Sequence, residues 1–350
     1  MRRFFDFFFF IKEKAKHFLL ILLCLSLSSV IFSCKSTEDT EGTEKVTVDF
    51  IQSWLCADWS VSDFDTHLSA LSEYGIDTLI FQSSAKYSEG KIESCSVLGM
   101  DSVLFSDSCE TNNSLENFLI SAKNQDFKVI IGLGFDDGWW DPVNYTQEVT
   151  EGWATMDTLL ANHIFETYYD DYEEIIWGWY WPWEMYTSDQ DFSKAWGKML
   201  DITINSMENE GNNLPIMVSP YHSSYYSVSK ARMYQVWKDF FSECNLREKD
   251  VFCPQDGFGG GDFDFNEEDE NMVVAHLSAA NEAVRDFSSC SFWVNIELFS
   301  KEGDSCNKER IKQQIRIANL FSPQRIACFS LSHYAISHPF GEEIMSVFSL

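Results

Sequence analysis

The chain has 350 residues, 45% hydrophobic and 16% aromatic, enough apolar mass for one large α/β domain or two ordinary ones. Its formal charge of −30 argues against binding nucleic acid through phosphates and against docking on anionic lipid surfaces. The ten cysteines contain no CxxC pair and no Cys/His cluster of zinc spacing, so neither a metal nor a cofactor is expected.

Residues 1–33 read as an export leader. Arg2, Arg3, Lys12, Lys14 and Lys16 make a basic start, and the apolar run at 18–32 is short for a membrane span. A small residue, Ser33, precedes Cys34. This end resembles the lipobox of bacterial lipoproteins, which implies cleavage before Cys34, lipidation of its thiol, and an exported domain anchored to the cell envelope. An ordinary signal peptide or an uncleaved anchor is the alternative. The leader carries five basic and two acidic residues, so its removal leaves a charge of −33 and makes a neutral or cationic ligand the easier partner. Residues 34–45 are polar, acidic and without large apolar groups, and read as a tether.

From residue 46 to residue 350, strand and helix patterns alternate without a linker. Strands are expected at 46–55, 77–83, 128–135, 175–186, 214–221, 251–255, 291–300 and 325–331. The first helix opens at Ser60, carries Val61, Phe64, Leu68 and Leu71 on one face, and stops at Gly75. The second starts near Ser114 and buries Leu115, Phe118, Leu119 and Ala122. Further helices are expected at about 150–173, 190–209, 228–243, 267–287 and 308–321, with a short one at 341–349. The second strand is followed by a loop of about thirty residues, long enough to be functional or an added hairpin. Cys95 and Cys109 lie in it and can pair in an oxidising compartment, whereas Cys253 and Cys328 read as small core residues. Eight strands, each followed by a helix, predict a single (β/α)8 TIM barrel over 46–350. The rival open doubly wound sheet lacks its GxGxxG signature after the first strand.

Active sites of such barrels gather at the C-terminal ends of the strands. In the fourth strand, IIWGWYWPWEMY, counting back by twos from Glu184 gives Pro182, Tyr180, Gly178 and Ile176 on one face. In the seventh, SFWVNIELFS, Trp293, Asn295 and Glu297 share a face. Breaking a glycosidic bond requires an acid on the leaving oxygen and a second carboxylate at the anomeric carbon. Glutamates ending strands four and seven resemble the pattern of a large superfamily of retaining glycosidases. That resemblance implies Glu184 as acid/base and Glu297 as nucleophile. The superfamily usually has Asn just before its acid/base, and here that residue is Trp183, which leaves open how the sugar 2-hydroxyl is held. A second resemblance spans nearly the whole mature chain. The segments GIDTLIFQ, KVIIGLG, GWYWPWE, MVSPY, CPQDGFG and NIELF are similar to an uncharacterised bacterial family, a domain of unknown function read as a glycoside-hydrolase-like TIM barrel, often exported. It implies the fold and a carbohydrate substrate.

Tyr180 shares the Glu184 face, and Gln82, Tyr221, Gln255, Asp256, Asn295 and Tyr334 lie at or just beyond strand ends. They are expected to bond sugar hydroxyls or tune the glutamates; satisfying loop backbone at the rim is the alternative. Asp136 and Asp137 beside Trp139 and Trp140 form either a stacking platform or a plug under the next helix. Trp177 and Trp179 are expected to pack outwards against helices, with Trp181 and Trp183 near the mouth. His222 and His333 stand near strand ends, within range of a ligand. The acidic run 262–270 fails as an EF-hand, because Glu267 and Val273 occupy the positions of its Gly and Glu, and is expected to front the following helix. No GxSxG elbow or P-loop occurs. The expectation is an exported lipoprotein glycosidase acting on a neutral oligo- or polysaccharide with retention. A surface glycan-binding protein that lost catalysis is the second reading, and a lyase or isomerase with one glutamate as base the third.

Overall fold

The computed structural model describes residues 45–188, 192–226, 228–261, 263, 266–300, 307–336 and 341–348. The expected leader, Cys34 and all but the last residue of the tether lie outside them. Parallel strands form a TIM barrel: β1 Val46–Ile51, β2 Thr78–Phe81, β3 Lys128–Gly132, β4 Ile176–Trp181, β5 Ile216–Val218, β6 Val251–Phe252, β7, and β8 Ile326–Phe329. Strand β7 is broken at Trp293 into Ser291–Phe292, which pairs with β6, and Val294–Glu297, which pairs with β8. The nine strand segments are therefore eight strands, and the sheet closes on itself.

These strands are buried on both faces, which explains their near-continuous Val, Ile and aromatic content. Val48, Phe50, Ile80, Ile130, Tyr180, Met217, Val251 and Trp293 belong to the inner cluster that fills the barrel. Alternating neighbours such as Leu79, Phe81, Val129, Ile131, Trp179 and Val218 belong to the larger cluster shared with the helices. The helices are α1 Val61–Ser72, α2 Ser114–Asn124, α3 Gln147–Tyr172, α4 Ser193–Asn209, α5 Lys230–Glu243, α6 Glu267–Phe287 and α7 Lys308–Asn319. Side-chain caps set several of their starts: Ser60 closes a capping box with Asp63, and Asn266 accepts from the amides of Glu268 and Asp269. Glu267, Glu268, Asp269 and Glu270 then form the first turn of α6, where the helix dipole favours them. Among the described residues no helix is long and apolar enough to cross a membrane.

Two local expectations are corrected, on β4 and on the cysteines. The register of β4 slips between Ile176 and Gly178, so Ile176 packs outwards and Trp177 turns inwards onto Trp293, with ring centroids 5.7 Å apart. Alternation holds only beyond the slip, which leaves Tyr180 and Glu184 on the inner face. The long loop after β2 holds an added antiparallel hairpin, Ala85–Ser88 with Lys91–Cys95, within a larger sheet. Ala85–Ser88, Lys91–Cys95 and Phe105–Thr111 build a small sheet that also recruits Gly134–Asp136 from beyond β3. A Cβ on Gly134 would lie 1.9 Å from the Tyr87 ring, so this pairing requires glycine. The same Tyr87 donates its hydroxyl to Asp157 of α3 at 3.1 Å, tying the small sheet to the barrel wall. Cys95 and Cys109 are both free; the Cys95 thiol faces the sulfur of Met100 at 3.9 Å.

Candidate active site

Beyond β4 the chain passes Pro182, which cannot extend the ladder, and presents Glu184 to a cavity of about 390 Å³ at the mouth of the barrel. Glu297, the last residue of β7, faces the same cavity and is 2% exposed. Gln82, Tyr180, Tyr221, Gln255 and Asn295 also line it. The structure therefore gathers seven of the expected site residues around one space.

The two glutamates are held differently. Glu297 Oε2 accepts from the backbone amides of Gly259 at 2.5 Å and Gly260 at 2.7 Å, in the GFGGG loop after β6. A Cβ on Gly259 would come within 2.9 Å of Glu297 Cβ and of the Phe299 ring, so the loop approaches this closely only as glycine. Behind it, Asp256 Oδ1 accepts from the Glu297 amide at 3.2 Å. Gln314 Nε2 donates to Asp256 Oδ2 at 2.7 Å and to the Glu297 carbonyl at 2.8 Å. Arg310, one turn earlier on α7, donates to the same carbonyl at 3.0 Å. Burial and the nearby Asp256 charge push Glu297 up to about 8, against the pull of the two glycine amides. Burial likewise lifts Asp256 to about 6. Glu184 Oε1 accepts from Gln255 Nε2 at 2.8 Å, and the same amide group donates to the Ser219 carbonyl at 3.1 Å. Burial raises the Glu184 pKa, opposed by the Gln255 bond.

Two amides in the cavity wall are incompletely hydrogen-bonded. Asn295 gives its NH₂ to Ser219 Oγ at 3.3 Å, but among the described residues its buried Oδ1 has no hydrogen-bond partner, nor has Gln82 Oε1. Buried carbonyl oxygens of this kind normally have a donor.

Other expected residues do not reach the cavity. Trp139 is 0% exposed, donates its indole N–H to the Glu184 carbonyl at 3.0 Å, and packs among Trp153, Trp181, Trp183 and Trp196. It is the plug, and its neighbour Trp140, 46% exposed, is the ring that lines the cavity. Asp136 accepts from the Gly138 amide at 2.8 Å and from Trp153 Nε1 at 3.2 Å, capping a tight turn. Asp256 supports Glu297 from behind. Tyr334 stacks on Phe299 at 5.2 Å, one ring removed from the cavity. His222 lies buried face to face with His276 at 3.9 Å, and His333 bonds Gln52. Trp181 and Trp183 are fully buried, and Trp183 donates to Asp157 Oδ2 at 2.7 Å, pointing away from the mouth.

Sequence reasoning missed Phe299, the Gly259–Gly260 amides and the Arg310/Gln314 pair. Only the last left a signal: two polar residues four apart on the face that α7 otherwise buries with Ile311, Ile317 and Ala318.

Among solved structures the chain is similar to a proposed alpha-L-fucosidase from Bacteroides thetaiotaomicron VPI-5482, at 14% identity and a TM-score of 0.68 over 92% of this chain and 96% of that one. It is also similar to an endo-1,4-beta-D-mannanase from Thermotoga petrophila RKU-1, at 12% identity and a TM-score of 0.56 over 82% and 88%. At these identities the likeness is one of fold, a TIM barrel shared with glycoside hydrolases. No curated protein matches the chain in sequence. Residues 46–340 match the domain of unknown function DUF4434, and the chain belongs to that family.

Proposed function

We propose that the protein is an exported, lipid-anchored glycosidase that cleaves an uncharged oligo- or polysaccharide with retention, using Glu184 as acid/base and Glu297 as nucleophile. The observation that carries the reading is the pair itself: two desolvated glutamates from the ends of β4 and β7 facing one cavity, beside two unpartnered amide oxygens. With Oε2 fixed by two amides, Glu297 Oε1 is free among the described residues to attack the anomeric carbon as Glu184 protonates the departing oxygen. Glu184, now a carboxylate, then takes a proton from the water that releases the sugar from Glu297, and the site returns to its starting state. Desolvation suits the acid/base role of Glu184, since it favours the protonated form. The position before Glu184 holds a buried Trp183, so Asn295 and Gln255 are the side chains placed to hold the sugar hydroxyls.

The test is Glu297→Gln, assayed on a panel of 4-nitrophenyl glycosides and neutral oligosaccharides. Turnover is expected to vanish while the thermal midpoint and oligosaccharide binding persist, and NMR of the first wild-type product should show the configuration retained. Activity surviving in Glu297→Gln refutes the mechanism. Tight binding without cleavage by the wild type selects the glycan-binding alternative. For the anchor, Cys34→Ala should abolish labelling of the protein by radioactive palmitate, and unchanged labelling refutes it.

A further inference from the structure

A second and larger cavity, about 550 Å³, lies between the barrel mouth and the small sheet at 85–111. Gln82, Trp140 and Glu184 line both cavities, while Glu297 lines only the inner one. The acid/base candidate therefore stands at the junction and the nucleophile candidate on one side of it. An anomeric carbon attacked by Glu297 sits in the inner cavity. The oxygen protonated by Glu184 then leads its leaving group into the outer one.

We infer that the outer cavity is the binding site for the leaving-group side of the substrate and takes at least two uncharged sugar units; this rests on the glycosidase reading above. Its walls have the composition such a site needs. Trp140 stands at the junction, and Trp54, 58% exposed, lines only the outer cavity, so one ring face is offered near the scissile bond and another farther out. Ser94, Ser96 and Asn112 from the small sheet and its flank supply hydroxyl and amide partners. Lys86 is the cation in this wall, and its ammonium is already held by Asp137 at 2.9 Å and Glu93 at 3.2 Å. Glu110 and Glu184 remain, so the space repels uronates and sulfated sugars. The insertion between β2 and α2 thereby acquires a role: it lengthens the site on the side where Glu184 works.

The experiment compares wild type and Trp54→Ala on a 4-nitrophenyl glycoside, whose small ring reaches only the junction, and on manno-, xylo- and gluco-configured oligosaccharides whose leaving side extends beyond one sugar. Trp54 is largely solvent-exposed, so its truncation leaves the core intact. The loss in kcat/KM on the cleaved oligosaccharide should exceed that on the aryl glycoside by about tenfold. An equal loss on both substrates, or none, overturns the inference while leaving the glycosidase reading standing. If the wild type cleaves nothing, the glycosidase reading fails instead, and tryptophan-fluorescence titration with the same oligosaccharides decides the inference. Binding weakened about tenfold by Trp54→Ala supports it. Unchanged or undetectable binding overturns it.

Discussion

Adjacent glycines in the loop after β6 should respond differently to the same added methyl group. In Gly259→Ala the new Cβ would stand 2.9 Å from Glu297 Cβ and 2.9 Å from two atoms of the Phe299 ring. Contacts this short force a shift, and overpacking of this kind costs roughly 1–3 kcal/mol of stability. The shift falls on Glu297, because the clash is with its own side chain and with the ring beside it. Its carboxylate then moves off the Gly259 and Gly260 amides at 2.5 and 2.7 Å. A hydrogen bond to a charged group contributes about 1.5–3 kcal/mol, so weakening one of the pair lowers kcat by roughly 10- to 100-fold. In Gly260→Ala the nearest atoms are Tyr221 Cε2 at 3.3 Å and Phe299 Cζ at 3.5 Å, with Glu297 Oε1 at 3.7 Å. That methyl group leaves the carboxylate in place and enters the substrate space, so KM rises and kcat changes little. The assay is steady-state kinetics of both variants on the best 4-nitrophenyl glycoside, beside thermal midpoints. Equal kcat values for the two variants would refute the claim that the Gly259 amide positions Glu297.

Three further outcomes follow from the same geometry. Glu297 is raised to about 8 by burial and the Asp256 charge, and it must be ionised to attack. The wild-type kcat/KM should therefore rise as pH approaches 8, and Asp256→Asn, by removing a like charge, should move this acidic limb to lower pH; an unmoved limb refutes the coupling. Gln314→Ala removes the donor shared by Asp256 and the Glu297 carbonyl, and should lower kcat about tenfold with KM held, whereas a change in KM alone contradicts a positioning role. Buried Asp157, raised to about 7, and Asp49, raised to about 6, bind protons in the folded state that they release on unfolding near neutral pH. Stability therefore falls as pH rises from about 4 to 7, and Asp157→Asn should flatten the decline in thermal midpoint across that window; an unaltered slope refutes the assignment.

How much of this the chain disclosed in advance depended on whether a position was decided locally. The eight strands were legible because strands buried on both faces must be branched and aromatic, and the parity that set Tyr180 and Glu184 inwards needs only the uninterrupted stretch between them. Ile176 and Trp177 were inverted because the slipped register reverses parity on its far side, and no residue type marks it. The choice between Trp139 and Trp140 was not local either. A single turn at Asp137–Trp140 sends one ring under α4 and the other to the mouth, and the identity of the residues is the same in both cases.

The Glu297 environment shows the same division and what it means for function. A carboxylate at a strand end is readable, but its chemistry is set by groups from three other places: the Gly259 and Gly260 amides, Asp256, and the Arg310/Gln314 pair on α7. These pull in opposite directions, the amides favouring the ionised form and Asp256 and burial opposing it. A structural acid at the rim would have no need of such opposed constraints, because solvent alone would keep it ionised. A nucleophile does need them: it must be desolvated enough to react and fixed enough to aim. If Asp256→Asn and Gly259→Ala leave both the rate and its pH dependence unchanged, this arrangement is architectural and the catalytic reading of β7 falls with it.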